Sequence, residues 1–176
     1  AALALPGGRE QALGGAVDLA LALGERERAR RWAAPAGAPA DAVARAAVLR
    51  AEGRAEAAER ELRAALKGDP ARFEALSALF ELLLAARRAP AFLPLAERAA
   101  GLAPRDPRVV ALLGEARLAV GDATRAETEL ARALGLAPDG DTLRLELARA
   151  QLQGQRPRPA LETLRGAADS PEREAL

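Results

Sequence analysis

Three prolines, Pro70, Pro104 and Pro138, stand thirty-four residues apart, and the last two close the same phrase, Gly-Leu-Ala-Pro, at 101–104 and 135–138. A fixed interval of this length marks one supersecondary unit written several times, each copy too small to bury its own apolar side and so stacked on the next. With the proline at position 32 of the frame, the copies run 39–72, 73–106, 107–140 and 141–174.

The third copy shows the internal design. Asp106 and Pro107 form an N-cap and first-turn pair, and Val110, Leu113 and Gly114 follow at helical spacing up to a stop at Gly121. Thr124 and Glu127 read as a capping box opening a second helix that carries Ala126, Leu130, Ala133 and Leu134 on one face. Asp139 and Asp141 then read as turn and cap residues. Each copy is therefore expected to be a hairpin of two short antiparallel helices. Composition agrees: alanine, leucine and arginine dominate, Ile and Tyr are absent, and the aromatics are only Trp32, Phe73, Phe80 and Phe92, which favours helix over strand.

Fixed frame positions alternate small and large residues. Position 8 reads Ala46, Phe80, Gly114, Ala148; position 20 reads Ala58, Phe92, Ala126, Ala160; position 27 reads Ala65, Ala99, Ala133, Ala167. Small residues there let two helices cross closely. Bulk comes from Leu79, Leu113 and Leu147 at position 7, and from Leu62, Leu130 and Leu164 at position 24. This pattern resembles the tetratricopeptide repeat family: Leu113-Gly114, Ala126, Leu130, Ala133 and Pro138 match the family's motif in order, and Ala58, Leu62, Ala65 and Pro70 match its second half. The resemblance covers 39 to about 168. It implies an all-α, right-handed superhelical α-solenoid of antiparallel helix pairs, with about four full repeats in one continuous array.

Several residues depart from the pattern. Arg45 stands where leucine is usual, and Phe80 with Phe92 at small-residue sites predicts a wider or register-shifted second hairpin. Pro94 is tolerable only if that hairpin's second helix starts near Leu93, while Pro157 and Pro159 similarly delay the last one, expected at 159–168. Residues 1–38 read as a degenerate N-terminal pair, with helices near 9–23 and 25–34 separated by Gly24 and followed by a Pro/Gly loop. Its charge run is expected to be a solvated helix face with Glu27 paired to Arg31. Ser170 and Pro171 look like the start of another helix, so the sequence reads as a fragment of a longer protein.

The chemistry available is narrow. The chain has no His and no Cys, which removes the commonest general base, the thiolate nucleophile and the usual zinc ligands, so no enzyme activity, cofactor or metal is expected. The net charge of +1 and four aromatics give no footprint for nucleic acid, and no apolar run approaches the length of a membrane span. Lys67 is the only lysine beside 25 arginines, a bias that points to a bacterium with a GC-rich genome and leaves cytoplasm or periplasm open.

What remains is surface. In relatives of this kind, peptide ligands lie along frame positions 5, 9 and 12 of the first helices. Here the resemblance places Val43, Ala47 and Arg50 there in the first copy; Ser77, Glu81 and Leu84 in the second; Ala111, Glu115 and Leu118 in the third; Leu145, Arg149 and Leu152 in the fourth. Lysine and asparagine are missing from the positions that clamp a terminal carboxylate in the family's chaperone-binding members, so that role is not expected. The reading is a protein-interaction scaffold with a protein or peptide partner in a concave groove. The alternative is an oligomerisation or spacer module of a cell-envelope assembly or export protein, working through its ends and self-associating at the C-terminal one.

Overall fold

A computed structural model of the protein describes residues 6–33 and 42–165, with side-chain surroundings from residue 14 onward. The Pro/Gly loop, Ala167 and the helix start at Ser170 lie outside the described residues. Among those described, every regular element is helical: α1 (Pro6–Ala22), α2 (Arg26–Ala33), α3 (Ala42–Ala51), α4 (Ala55–Gly68), α5 (Phe73–Ala85), α6 (Leu93–Leu102), α7 (Pro107–Ala119), α8 (Ala123–Leu136), α9 (Asp141–Gln153) and α10 (Pro157–Arg165). A 3-10 turn, Ala89–Ala91, precedes α6. The fold is thus all-α, made of helix pairs of the α-solenoid kind. Packing divides it into two compact units, Ala1–Leu82 and Leu83–Leu176, with the division inside α5.

The turn between paired helices is a repeated device. Frame position 15 has a left-handed backbone in every copy: Gly53 at φ 76°, Arg87 at 57°, Gly121 at 87° and Gln155 at 58°. The following amide donates to the carbonyl five residues back, as in Arg54 to Leu49 at 2.9 Å and Asp122 to Arg117 at 2.9 Å, closing the helix end in a Schellman turn. Two copies make this turn without glycine, a conformation that costs an L-residue roughly 1–2 kcal/mol.

Helix starts are more varied. Asp106 caps α7, its carboxylate accepting from the Arg108 amide at 2.9 Å, with Pro107 in the first turn. The expected Thr124–Glu127 capping box does not form. Asp122 caps α8 by accepting from the Arg125 amide at 3.2 Å, because the helix begins directly after the Gly121 turn and the cap falls two residues before Thr124. Glu127 instead accepts from Arg156 at 2.6 Å and Gln151 at 3.4 Å. Asp141 is likewise the first residue of α9, not its cap, and pairs with Arg144 at 3.2 Å. In α6, Pro94 sits in the first turn, and the helix begins at frame position 21, whereas α4, α8 and α10 begin at 17. This four-residue delay, taken up by the 3-10 turn, is the start at Leu93 that Pro94 requires, and Phe80 and Phe92 are both buried. Pro157 opens α10 two residues ahead of the expected start.

Each unit has its own aliphatic core. In the first, Val17 and Ala20 of α1, Ala29 and Ala33 of α2, and Ala44 and Val48 of α3 form one cluster. In the second, Val110, Ala111 and Leu118 of α7 meet Ala126, Leu130 and Ala133 of α8 and Leu147 and Ala150 of α9. The small residue at position 8 is a steric requirement: a Cβ on Gly114 would lie 2.6 Å from Leu130 Cγ. Leu164, expected as bulk at position 24, is instead exposed, because no described helix follows α10 to cover it. Arg45, standing for the usual leucine, is held by Glu61 at 2.9 Å. In the N-terminal pair, Glu27 bonds Arg30 rather than Arg31, one turn spacing being met at i+3, and Arg30 continues to Glu52 at 2.5 Å.

Candidate protein-binding face

The first unit brings five of the sequence-predicted groove residues together. Val43, Ala47 and Arg50 on α3 and Ser77 and Glu81 on α5 line one cavity of about 260 Å³. Their spacing of three to four residues keeps each set on one helix face. Ala46, Ala58, Leu62, Ala78 and Leu82 supply an apolar floor, and Asp18 on α1 with Glu74 on α5 adds acidic groups at its border. Arg50 and Glu81 bridge the two helices at 2.9 Å, so these charges neutralise each other across the opening. Asp18 had no sequence signal, since it lies outside the repeated frame and only tertiary packing carries α1 to this cavity.

The second unit treats the same frame positions differently. Ala111 and Leu118 are buried in the core of α7, α8 and α9, so Leu118 is not available as the anchor expected from sequence. Leu118, at position 12, belongs to one buried cluster with Leu130 of α8 and Leu147 and Ala150 of α9, so it is core. Leu145 and Leu152 are exposed on α9, at 60% and 55%, on either side of Arg149. Arg149 lies 3.6 Å from Glu146. Leu84 near the end of α5 is also exposed.

Glu115 stands half-buried on α7. Burial, aided by the nearby Glu146 charge, pushes its carboxyl above the ordinary carboxylate range, and Arg149 opposes this only in part. Among the described residues no group of three or more acidic or other ligating side chains could hold a metal ion, and no helix is long and apolar enough to cross a membrane.

Residues 117–175 match the sequence model of the family described as Tetratricopeptide repeat. No curated protein sequence matches the chain. Among solved structures, it is similar to MamA from residue 41 to the end from Desulfovibrio magneticus RS-1, at 20% identity over 94% of this chain and 96% of that one, with a TM-score of 0.68. MamA of MSR-1 aligns at 19% identity over 95% of this chain and 99% of that one, TM-score 0.63. YrrB, titled a TPR protein with an unusual peptide-binding site, aligns at 18% identity over 89% of this chain and 84% of that one, TM-score 0.62. Likeness at these identities establishes the fold.

Proposed function

We propose that this chain belongs to the tetratricopeptide repeat family and is a protein-interaction scaffold that receives a peptide or protein segment on the faces of its first helices. The observation that carries the reading is the cavity between α3 and α5, where the small side chains Ala47 and Ser77 line a space with an apolar floor and Arg50 and Glu81 at its opening. An apolar side chain of a partner fits such a floor, while Arg50 and Glu81 at the mouth set register by offering one charge of each sign. YrrB, a structural neighbour, is itself described as peptide-binding, which supports the same class of role.

Filling the cavity tests the reading. Ser77→Arg and Ala47→Glu, each with an unchanged helical melting profile, are expected to remove partners captured by the wild-type protein in affinity capture. Identical partner sets for all three proteins reject the cavity as the binding face. A second reading rests on α10, where Leu161 and Leu164 are exposed and invite an end-on contact with another copy. Light scattering over a concentration series tests it, and a monomer whose mass is unchanged by Leu161→Ser rejects it.

A further inference from the structure

A second cavity, of about 640 Å³, lies in the first unit between α2, α3 and α4, and no groove residue lines it. It is reached from Arg45, Val48 and Leu49 on α3 and from Glu52 just past its end; Arg45 and Leu49 stand two positions along from Val43 and Ala47 and hence about 200° around the helix. Its size suits a small ligand. Ala33, Val48, Leu49 and Ala57 give it apolar wall, and its charged lining is four arginines, Arg30, Arg45, Arg54 and Arg60, against two carboxylates, Glu52 and Glu61.

The carboxylates do not balance the guanidinium groups. Glu52 accepts from both Arg30, at 2.5 Å, and Arg54, at 3.4 Å, so two forks from different elements converge on one acceptor. Glu27, outside the lining, takes a further bond from Arg30. Glu61 is engaged by Arg45 through Nε and Nη2, and the Arg45 Nη1 is buried with no acceptor. Arg60 makes no ion pair with any described residue. Arg54 is also the N-cap of α4, with no side chain capping the helix, so its positive charge adds to the positive end of the helix dipole. An anion is the group that suits Arg30, Arg54, the unpaired Arg60 and the α4 N-terminus together, since the oxygen acceptors of a phosphate match converging arginine forks and helix amides.

We infer that the cavity between α2, α3 and α4 binds a small phosphate ester, its dianionic head among Arg30, Arg54 and Arg60 and its apolar body against Val48, Leu49 and Ala57. The site is separate from the α3–α5 cavity and stands or falls without it.

The test titrates the ¹⁵N-labelled protein with phenyl phosphate, inorganic phosphate and benzenesulfonate at constant ionic strength and pH 8, where a phosphate ester is doubly charged. Saturable shifts at residues of α2, α3 and the α4 N-terminus are expected, with phenyl phosphate binding tighter than inorganic phosphate and about tenfold tighter than singly charged benzenesulfonate. Arg54→Gln and Arg60→Gln, at exposed positions, are each expected to weaken binding roughly three- to tenfold. Glu52→Gln frees two guanidinium groups and is expected to tighten binding, although it loosens the network in the apo protein. Arg125→Gln on α8 controls for simple loss of positive charge and leaves binding unchanged. The inference is overturned by the absence of saturable shifts, by equal affinity for all three anions, or by Arg54→Gln and Arg60→Gln proteins that bind as Arg125→Gln does.

Discussion

The inner positions of α3 and of α7 are occupied by the same frame yet end in different states. On α3, position 12 is Arg50, which cannot enter an apolar core and reaches instead to Glu81, leaving a cavity over Ala47 and Ser77. On α7, position 12 is Leu118, which is buried beside Leu147 and Ala150 and becomes core. A repeat position thus has no fixed role. The side chain it carries and the surroundings it meets decide whether it is cavity wall, exposed surface or core.

The largest effect expected from breaking this contrast is at Leu118. Leu118→Ala empties core volume and should destabilise by about 2–5 kcal/mol, whereas Arg50→Ala removes an exposed pair and should cost no more than about 1 kcal/mol. Urea unfolding of the two variants measures both, and equal costs would erase the distinction between the faces. Next in size is Gly114→Ala. Its Cβ would meet Leu130 Cγ at 2.6 Å, and because Leu130 is fully buried it has nowhere to turn, so a loss of about 1–3 kcal/mol is expected.

The turns give a smaller effect of opposite sign. Gln155→Gly should stabilise by about 1 kcal/mol by relieving a left-handed residue, and Gly121→Ala should lose a similar amount at the same frame position. Thermal melts that fail to show opposite shifts would mean the turns are not equivalent.

The smallest effect concerns Glu115. Its carboxyl titrates above its unfolded value of about 4.5, so between the two the folded state binds more protons, and stability falls as pH rises through that window. Glu115→Gln should therefore melt slightly higher than wild type at neutral pH and equally in acid, where both states are protonated. A uniform shift at every pH would assign the change to packing instead of charge.

Much of the fold was legible because the relevant forces are local. Asp106–Pro107 starts a helix, Gly121 ends one, and Pro94 fixes where α6 can begin, all through backbone geometry within one or two turns. The capping box at Thr124 misled for the same local reason: Asp122, two residues earlier, is an equally good acceptor, and the closing bond from Asp122 to Arg117 places it at the cap. The candidate face was only half legible. Sequence register put Val43, Ala47, Arg50, Ser77 and Glu81 together around one cavity, but it could not tell Leu118, which is buried, from Leu152, which is exposed, since burial depends on what packs over each from elsewhere in the chain.

The amino-acid sequence by itself determined the unit: thirty-four residues, two helices with a stop between them, and small residues where most of the helices cross. These follow from helical periodicity and backbone sterics, which act over a few residues. Only the tertiary structure decided which side chains at equivalent positions are cavity wall, core or exposed surface, and which arginines find a carboxylate. Burial and charge pairing depend on atoms brought close from distant parts of the chain, and no repeat frame encodes them.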